Sequence, residues 1–252
     1  SAGMSSGSLC TEMPSLQVFC YGTLVDFLPA HDREKWVSVP FQGRQTLKHL
    51  IESLGVPHPE IDAVTVDDHP AGLDDFGQPG SQVQVSPFQP GDRRLRPKDL
   101  GFILDGHLGK LASHLRILGY DARYHPDTVD EVLAATSASE HRILLTRDRG
   151  LLKRRAVVYG YCIRNEDVRQ QMQEVVTRYN LAAGIDLFSR CPRCNGRLMP
   201  AEKDAVASRL EPNTLKYFNR FWLCQTCGQV YWRGSHVERI LDQLRDILPD
   251  RL

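Results

Sequence analysis

Acidic residues in the middle of the chain follow short apolar strings that have the length of buried β-strands. Asp105 ends the string FILD, Asp148 follows the string RILLT, and the pair Asp130 and Glu131 lies between them. In an α/β fold, side chains at the carboxyl ends of parallel strands meet in one crevice. Carboxylates gathered in this way need cations, and Mg²⁺ or Mn²⁺ suits ligation by oxygen alone. Such ions promote phosphodiester hydrolysis, so these four acids are candidate catalytic residues and metal ligands.

Each of these acids also has a structural alternative, because an Asp after a strand commonly caps the next helix. The alternative is strongest for Glu131, since the string from Thr128 to Glu131 has the spacing of a capping box, in which Glu131 bonds back to the Thr128 backbone. Asp130 is therefore kept as the second candidate for that metal position. Glu166 and Asp167, after the string VVYGYCI, are candidates for a fourth acid, again with helix capping as the alternative.

Basic residues interleave with the acids and are candidate contacts to the backbone of a polyanion. The candidate substrate-binding residues are His107, Lys110, Arg116, Arg147 and Arg149. For His107 the alternative is a packing or hydrogen-bonding histidine. For the following basic run at 153–155 the alternative is a solvated helix face.

Four of the seven cysteines form two CxxC pairs, and these are Cys191, Cys194, Cys224 and Cys227. Two such pairs supply four thiolates, the closed tetrahedral ligand set of a structural Zn²⁺ site, with an iron–sulfur cluster as the alternative. Four thiolates leave no open position, so we expect this zinc to hold a fold and not to perform chemistry. The remaining Cys10, Cys20 and Cys162 are expected to be buried thiols.

Aromatic residues and arginines surround the cysteine pairs, a mixture that suits stacking on unpaired bases. In so small a module most aromatic side chains must form the core. Trp232 is kept as the candidate for base stacking, with a core role as the alternative.

The elements that must position the acids alternate between short apolar strands and amphipathic helices. The predicted strands are GFILD, DARYH, RILLT and VVYGYCI, and helices are predicted over HLGKLASHLRILGY, from about residue 129, after RILLT and at 167–180. Short apolar strands separated by helices predict a parallel sheet covered on both faces.

The first ninety residues have a different pattern, with predicted strands LQVFCYGTL, KWVSVPF, IDAVTVDD and SQVQVSPF and a helix in TLKHLIESLG. The order ββαββ is that of a ubiquitin-like β-grasp unit. The Pro- and Gly-rich charged string QPGDRRLRPKD predicts a linker. The predicted organisation is a disordered tail at 1–14, a β-grasp domain at 15–88, a linker at 89–99, a parallel-sheet domain at 100–184 and a zinc ribbon at 185–250.

The chain has 31 basic and 31 acidic residues, but the two signs are separated along it. Residues 1–90 hold 4 Lys and Arg against 11 Asp and Glu, a net charge of −7, and residues 91–252 hold 27 against 20, a net charge of +7. This asymmetry indicates that the basic part contacts nucleic acid. No apolar run approaches the roughly 20 residues that cross a bilayer, and the first residues lack a signal-peptide pattern. We therefore expect a cytoplasmic protein with no membrane partner.

Taken together, these residues resemble the PIN-like ribonuclease family named after the C-terminal region of the Mut-seven exonuclease, in its bacterial form with a ubiquitin-like domain in front. The resemblance covers about residues 15–248 and rests on LIESLGVPHPE, FILDGHLGKLASHLRILGYD, RILLTRDRGLLKR, CPRCNG and CQTCGQVYWRGSH. It implies a metal-dependent endoribonuclease with Asp105 as the first acid, Glu131 or Asp130 as the second and Asp148 as the third. The fourth acid of PIN domains has no clear counterpart here, which leaves one or two metals open.

The expected fold is therefore α/β: a PIN-like parallel-sheet domain between an N-terminal β-grasp domain and a C-terminal zinc ribbon. The expected function is cleavage of RNA, with tRNA or another structured RNA favoured by analogy with PIN nucleases. Asp105, Glu131 and Asp148 are expected to hold Mg²⁺ or Mn²⁺, while neighbouring basic side chains steady the developing charge. The alternative is a non-catalytic RNA-binding adaptor that uses the ribbon and the basic face.

The β-grasp domain is similar to the sulfur carriers of thiamin and molybdopterin synthesis, which act through a free C-terminal Gly-Gly. Here the string VQVSPFQPGDRR continues into the predicted linker, so sulfur transfer is not expected. With sulfur transfer set aside, the β-grasp domain is expected to have a binding or regulatory role. The domain is expected either to recruit a protein partner or, because it is acidic, to compete with RNA for the basic part of the chain.

Overall fold

The computed structural model describes residues 13–88 and 101–245, and the chain divides into two compact units, Ser1–Phe88 and Gln89–Leu252. The predicted linker at 89–99, Cys10 and nearly all of the predicted tail at 1–14 lie outside the described residues. No helix in the two described ranges is both long enough and apolar enough to cross a membrane.

The described part of the first unit contains a five-stranded sheet and one α-helix. It contains β1 (Ser15–Cys20), β2 (Val37–Pro40), α1 (Leu47–Ser53), β3 (Ile61–Val66), β4 (His69–Ala71) and β5 (Gln82–Pro87). The strand order is β2-β1-β5-β3-β4, in which β1 and β5 are parallel and the other neighbours are antiparallel. This is the predicted β-grasp arrangement with one further short strand, β4.

The residues of the first unit account for its elements. Alternate residues of β1 are buried, as expected for a strand with one face on a core. Thr46 caps α1 by accepting a hydrogen bond from the backbone N–H of His49, and the helix buries Leu47, Leu50 and Ile51. The strand β4 was not predicted because its hairpin turn is Asp67-Asp68, with φ of 47° and 65°, where glycine or asparagine is the usual signal.

The second unit begins with a four-stranded sheet in which every neighbouring pair is parallel, in the order β7-β6-β8-β9. Its elements are β6 (Gly101–Leu104), α2 (Gly109–Ile117), β7 (Asp121–Tyr124), α3 (Asp130–Ser139), β8 (Ile143–Thr146), α4 (Arg149–Leu152), β9 (Gly160–Cys162) and α5 (Val168–Tyr179).

Helices cover both faces of this sheet. Phe102 and Leu104 of β6 join a core that also contains residues of α2 and α5. Ile103 points to the other face, where it lies near Leu133 of α3. Because all four strands run in the same direction, their carboxyl ends form one edge, which we call the carboxyl edge. The candidate acids Asp105 and Asp148 follow two of these strands.

A small antiparallel sheet, in the order β10-β11-β12, forms the ribbon that carries the four cysteines. Its elements are β10 (Leu198–Ala201), α6 (Lys203–Val206), α7 (Pro212–Tyr217), β11 (Phe221–Cys224) and β12 (Val230–Trp232), followed by α8 (Ser235–Arg245). The last helix returns Ile240 and Leu241 to the core of the parallel sheet. The predicted combination of β-grasp domain, parallel-sheet domain and cysteine-bearing ribbon is confirmed.

Asp121, the first residue of the edge strand β7, joins the ribbon to the parallel sheet. Its carboxylate accepts hydrogen bonds from Arg190 at 3.1 Å and from the Asn195 side chain at 2.7 Å, both from the first cysteine loop, and from Arg142 at 2.9 Å. The side-chain oxygen of Asn195 accepts the N–H of Ala122 at 3.2 Å, which satisfies a donor of the edge strand.

Candidate functional site

Asp105 stands directly after β6 at the carboxyl edge, with only 7% of its surface exposed. Its Oδ1 accepts a hydrogen bond from the backbone N–H of His107 at 3.0 Å and so caps a short 3₁₀ turn. Its Oδ2 accepts from the hydroxyl of Thr146 and from the N–H of Arg147 at 3.3 Å. Three donors from two neighbouring loops therefore fix this carboxylate in place.

Asp148 stands two residues beyond β8, the strand next to β6. Its Oδ1 caps α4 by accepting from the N–H groups of Gly150 at 2.6 Å and Leu151 at 3.3 Å. Its own N–H donates to the hydroxyl oxygen of Thr146 at 2.9 Å. Thr146 is fully buried and bonds both to Asp105 and to Asp148. One threonine thus connects the carboxylate of Asp105 to the backbone of Asp148.

Asp130 and Glu131 begin α3. The N-cap residue is Val129, which makes no side-chain cap, and the N–H of Thr128 donates to the carbonyl of His125 at 3.3 Å. The capping box considered for Glu131 is therefore wrong, because the helix begins one residue later than that motif requires and the Thr128 N–H bonds elsewhere.

The carboxylates of Asp130 and Glu131 instead pair with Arg154. Its Nη2 lies 2.9 Å from Oε1 of Glu131 and 3.7 Å from Oδ2 of Asp130. The backbone N–H of Glu131 itself and the positive charge of Arg154 lower the pKa of Glu131. Arg154 follows α4, the helix that Asp148 caps, so the ion pair connects the start of α3 to the segment after Asp148.

The acids form two linked pairs and not one compact cluster. Within the described ranges, only the four ribbon cysteines bring three or more ligand atoms within 4.8 Å of one another. The donor set still fits a hard divalent cation, because every ligand atom is a carboxylate oxygen. Asp105 is held rigidly at the edge of the sheet, whereas the Glu131 side chain is 70% exposed and has room to change its conformation.

The predicted substrate-binding residues differ in their surroundings. The side chain of His107 is 90% exposed. Arg147 pairs with Glu166 through Nη2 at 2.9 Å. Lys110 and Arg149 are exposed as well, so four of the five predicted substrate-binding residues lie on the surface close in sequence to Asp105 or Asp148.

Arg116 departs from its predicted role. The residue is 4% exposed; its Nε donates to the carbonyl of Ala122 at 2.8 Å, and its Nη1 donates to those of Pro192 at 3.0 Å and Arg193 at 3.1 Å. Burial lowers the pKa of its guanidinium. The prediction that Arg116 binds substrate is therefore wrong, because its donors hold the first cysteine loop against β7.

The two candidates for a fourth acid are separated by their contacts. Asp167 caps α5 by accepting from the N–H groups of Arg169 at 3.0 Å and Gln170 at 3.2 Å, as the capping alternative expects. Glu166 has a side chain that is 83% exposed and pairs with Arg147, whose backbone bonds to Asp105. Glu166 is therefore the candidate whose side chain connects to the carboxyl edge, through Arg147.

The four cysteine sulfurs have the arrangement of a tetrahedral metal site. The Sγ atoms of Cys191 and Cys227 are 3.7 Å apart, and those of Cys194 and Cys224 are 3.4 Å apart. Burial alone would raise the pKa of Cys224, but the N–H groups of Cys227 and Thr226 outweigh it and lower the pKa to about 7. Four convergent sulfurs with backbone donors fit a closed Zn²⁺ site. Elsewhere, Cys20 and Cys162 are buried, as predicted.

Most rings of the ribbon serve as its core. Trp222 stacks on Phe188 with centroids 4.1 Å apart, and Trp232 packs partly buried beside Phe218. This packing supports the core alternative for Trp232. Tyr217 is the exposed ring, with 69% of its surface accessible.

Two residues of the site were not singled out from the sequence, Thr146 and Arg154. The sequence gives only a weak indication for Thr146, which is a hydroxyl residue at the end of an apolar strand, two residues before Asp148. For Arg154 the sequence gives no indication beyond its place in a basic run, because the carboxylates that it pairs with belong to another helix.

Comparison with known proteins identifies two matching family models and one curated relative. A family model described as "Mut7-C RNAse domain" matches residues 100–244, and one described as "Mut7-C ubiquitin" matches residues 13–91. A human protein named "Exonuclease mut-7 homolog" is 37% identical over 99 residues, which are 37% of this chain and 11% of that protein. The chain thus spans about a tenth of that relative's length. No solved structure matches the chain significantly.

Proposed function

The chain belongs to the Mut7-C RNAse domain family and carries the Mut7-C ubiquitin domain in front, and we propose that it is a divalent-metal-dependent endoribonuclease. The observation that carries this proposal is the hydrogen-bonded link from Asp105 through Thr146 to Asp148 at the carboxyl edge. A crevice at the carboxyl ends of parallel strands is where α/β proteins bind ligands, and two acids there support a cation site.

Asp105, Asp148 and Glu131, with Asp130 as the alternative to Glu131, would hold Mg²⁺ or Mn²⁺. An ion bound there would supply an activated water and neutralise charge on a phosphodiester. The chain's own part is to fix Asp105 and Asp148 through Thr146 and to keep positive charge beside Glu131. Arg154 supplies that charge in the present structure, and it is free to contact a phosphate once another cation holds Glu131.

His107, Lys110, Arg147 and Arg149 would hold the RNA backbone, and the arginine side chains beside Asp148 would steady the charge that develops on the phosphate. Their exposure and the net charge of +7 on residues 91–252 support this role. The four-cysteine ribbon, stabilised by Zn²⁺, would extend the RNA contact with its exposed Tyr217.

Structured RNA such as tRNA is the proposed substrate, on the ground of fold-level analogy with PIN nucleases. The human relative is named an exonuclease, but the chain covers only 11% of it. A circular RNA separates the two modes of cleavage, since only an endonuclease can open a circle.

The test is cleavage of a tRNA pool and of a circular RNA with Mn²⁺ or Mg²⁺, by the wild-type protein and by Asp148→Asn. This substitution removes the negative charge, while the amide oxygen of Asn can still accept the hydrogen bonds that cap α4. Asp204→Asn, an exposed acid on α6, is the matched control. We expect the wild type and Asp204→Asn to cut both substrates and Asp148→Asn to be at least about 100-fold slower. Equal rates for wild type and Asp148→Asn would contradict the proposal.

A non-catalytic RNA-binding adaptor is the second candidate function. The observation in its favour is that Asp105 and Asp148 both bond to backbone N–H groups as helix or turn caps. An adaptor needs no cation at these acids, so metal binding at Asp105 separates the two functions.

A further inference from the structure

One face of the first unit's sheet carries three aromatic rings in contact. The ring centroid of Phe19 lies 4.8 Å from that of Tyr21 and 5.5 Å from that of Trp36. Val18 and Cys20 point into the core, so Phe19, between them on β1, points to the opposite face. Tyr21 and Trp36 are each 42% exposed. We call Phe19, Tyr21 and Trp36 the ring face.

Hydrogen bonds tie a carboxylate to the ring face. The hydroxyl of Tyr21 donates to Oε1 of Gln84 at 2.7 Å, and Nε2 of Gln84 donates to Oδ1 of Asp68 at 2.9 Å. Asp67 and Asp68 form the turn between β3 and β4 with positive φ, a region that few residues other than glycine adopt. The turn therefore holds Asp68, which Gln84 connects to Tyr21, in a backbone conformation that carries a cost.

The charge of this unit decides which ligands suit the ring face. Residues 1–90 have a net charge of −7, which repels the phosphates of RNA and disfavours the approach of a second acidic copy. A cation is complementary to rings with a carboxylate beside them. A guanidinium fits best, because its plane stacks on an aromatic ring while its edge pairs with a carboxylate.

The same unit already contains one arginine stacked on an exposed aromatic ring. Cζ of Arg44 lies 4.0 Å from the ring centroid of Phe76, an aromatic residue that is 46% exposed. In the described part of the unit, no basic side chain covers Tyr21 or Trp36 in the same way. These two rings have a similar exposure to Phe76, but no arginine in the described ranges stacks on them.

We propose that the ring face, together with Asp68, is a docking surface for an extended segment of a partner protein that presents arginine side chains. An arginine of the segment stacks on Trp36 or Tyr21, as Arg44 stacks on Phe76, and a further arginine pairs with Asp68. The ring face belongs to the β-grasp domain, so binding of an arginine-bearing segment there does not depend on the nuclease activity.

The test uses the full chain and a fluorescent peptide of alternating glycine and arginine, with matched lysine and glutamate peptides. Trp36→Ala is compared with Phe76→Ala. Both variants remove an exposed ring without changing the net charge, so non-specific attraction to the acidic unit stays constant. We expect Trp36→Ala to weaken binding of the arginine peptide about tenfold, Phe76→Ala to leave it unchanged and Trp36→Phe to retain most of it. Asp68→Asn should weaken binding as well.

The proposal is overturned if Trp36→Ala and Phe76→Ala give the same affinity, or if the lysine peptide binds as tightly as the arginine peptide. It is also overturned if Trp36→Ala abolishes self-association in sedimentation, which would make the occupant a second copy, or if Trp36→Ala weakens RNA binding. Thermal unfolding of each variant verifies the fold. Tyr21→Ala, at the second exposed ring, provides the same test if Trp36→Ala fails to fold.

Discussion

The hydroxyl of Thr146 donates a hydrogen bond to Oδ2 of Asp105, which connects the ends of two neighbouring parallel strands. The same hydroxyl oxygen accepts the N–H of Asp148 at 2.9 Å. Thr146 has no exposed surface, so both bonds are shielded from water. One buried side chain therefore connects the Asp105 carboxylate to the backbone N–H of Asp148.

Replacing Thr146 with valine keeps its shape and removes both hydrogen bonds. We expect Thr146→Val to lower the free energy of unfolding by about 1–3 kcal/mol, because the buried groups that faced the hydroxyl lose a partner. Metal-dependent RNA cleavage should fall as well, since Asp105 and Asp148 lose their link. Urea unfolding and cleavage rates check this, with Thr146→Ser as the control that keeps the hydroxyl. A valine variant as stable and as active as the serine variant would refute the assignment.

If Glu131 and Asp130 bind a cation as proposed, Arg154 will compete with that cation for their carboxylates. We expect Arg154→Gln to bind Mn²⁺ roughly two- to fivefold more tightly than the wild type, because an exposed ion pair is weak and its loss frees both carboxylates. Isothermal titration of the RNA-free protein measures this. Arg155→Gln, one residue further along the same basic run, is the charge-matched control. If both variants gain the same affinity, the effect comes from net charge and not from the ion pair.

Substitutions of two basic residues of α2 should have different effects, one on stability and the other on RNA binding. Arg116→Gln is expected to lower the free energy of unfolding by about 2 kcal/mol or more, because it removes buried donors to three carbonyl oxygens. Lys110→Gln should change stability by less than about 0.5 kcal/mol and lower the salt dependence of RNA binding by about one phosphate contact. Chemical unfolding and RNA titrations at several salt concentrations measure both quantities. The reverse pattern would mean that the roles of the two residues have been exchanged.

The contribution of Asp121 to the free energy of unfolding should depend on pH only under acidic conditions. Burial raises the pKa of Asp121, but hydrogen bonds from Arg142 and Asn195 outweigh it and hold the pKa below the usual 3.8. A carboxyl with a lowered pKa stabilises the fold above its unfolded pKa and loses that contribution as the pH falls through its folded pKa. The difference in unfolding free energy between wild type and Asp121→Asn should therefore be constant down to about pH 4 and shrink below it. A difference that grows as the pH falls would contradict this sign.

The parts of the fold with a strong local pattern could be predicted from the sequence. Alternation in β1, the apolar strings before Asp105 and Asp148, and the paired cysteines all have a meaning that depends on a few neighbouring residues. The turn at Asp67-Asp68 could not be predicted, because its conformation depends on the N–H that strand β5 donates to Asp67.

The errors at the candidate site have one physical cause, which is that the decisive partners are distant in sequence. Arginine is usually a surface residue. Arg116 can be buried because the first cysteine loop, which is distant in sequence, supplies carbonyl oxygens that accept its hydrogen bonds. Glu131 has the local spacing of a capping box, but the arginine that it pairs with follows another helix. Residue spacing predicts candidate acids but not the contacts that they make.

The most direct measurement is Mn²⁺ titration followed by electron paramagnetic resonance, comparing the wild type with Asp105→Asn under conditions in which both are folded. If the acids of the carboxyl edge hold the cation for RNA cleavage, the wild type will show saturable Mn²⁺ binding that Asp105→Asn loses. Superimposable titrations of the two proteins would contradict the account and leave the adaptor as the better description.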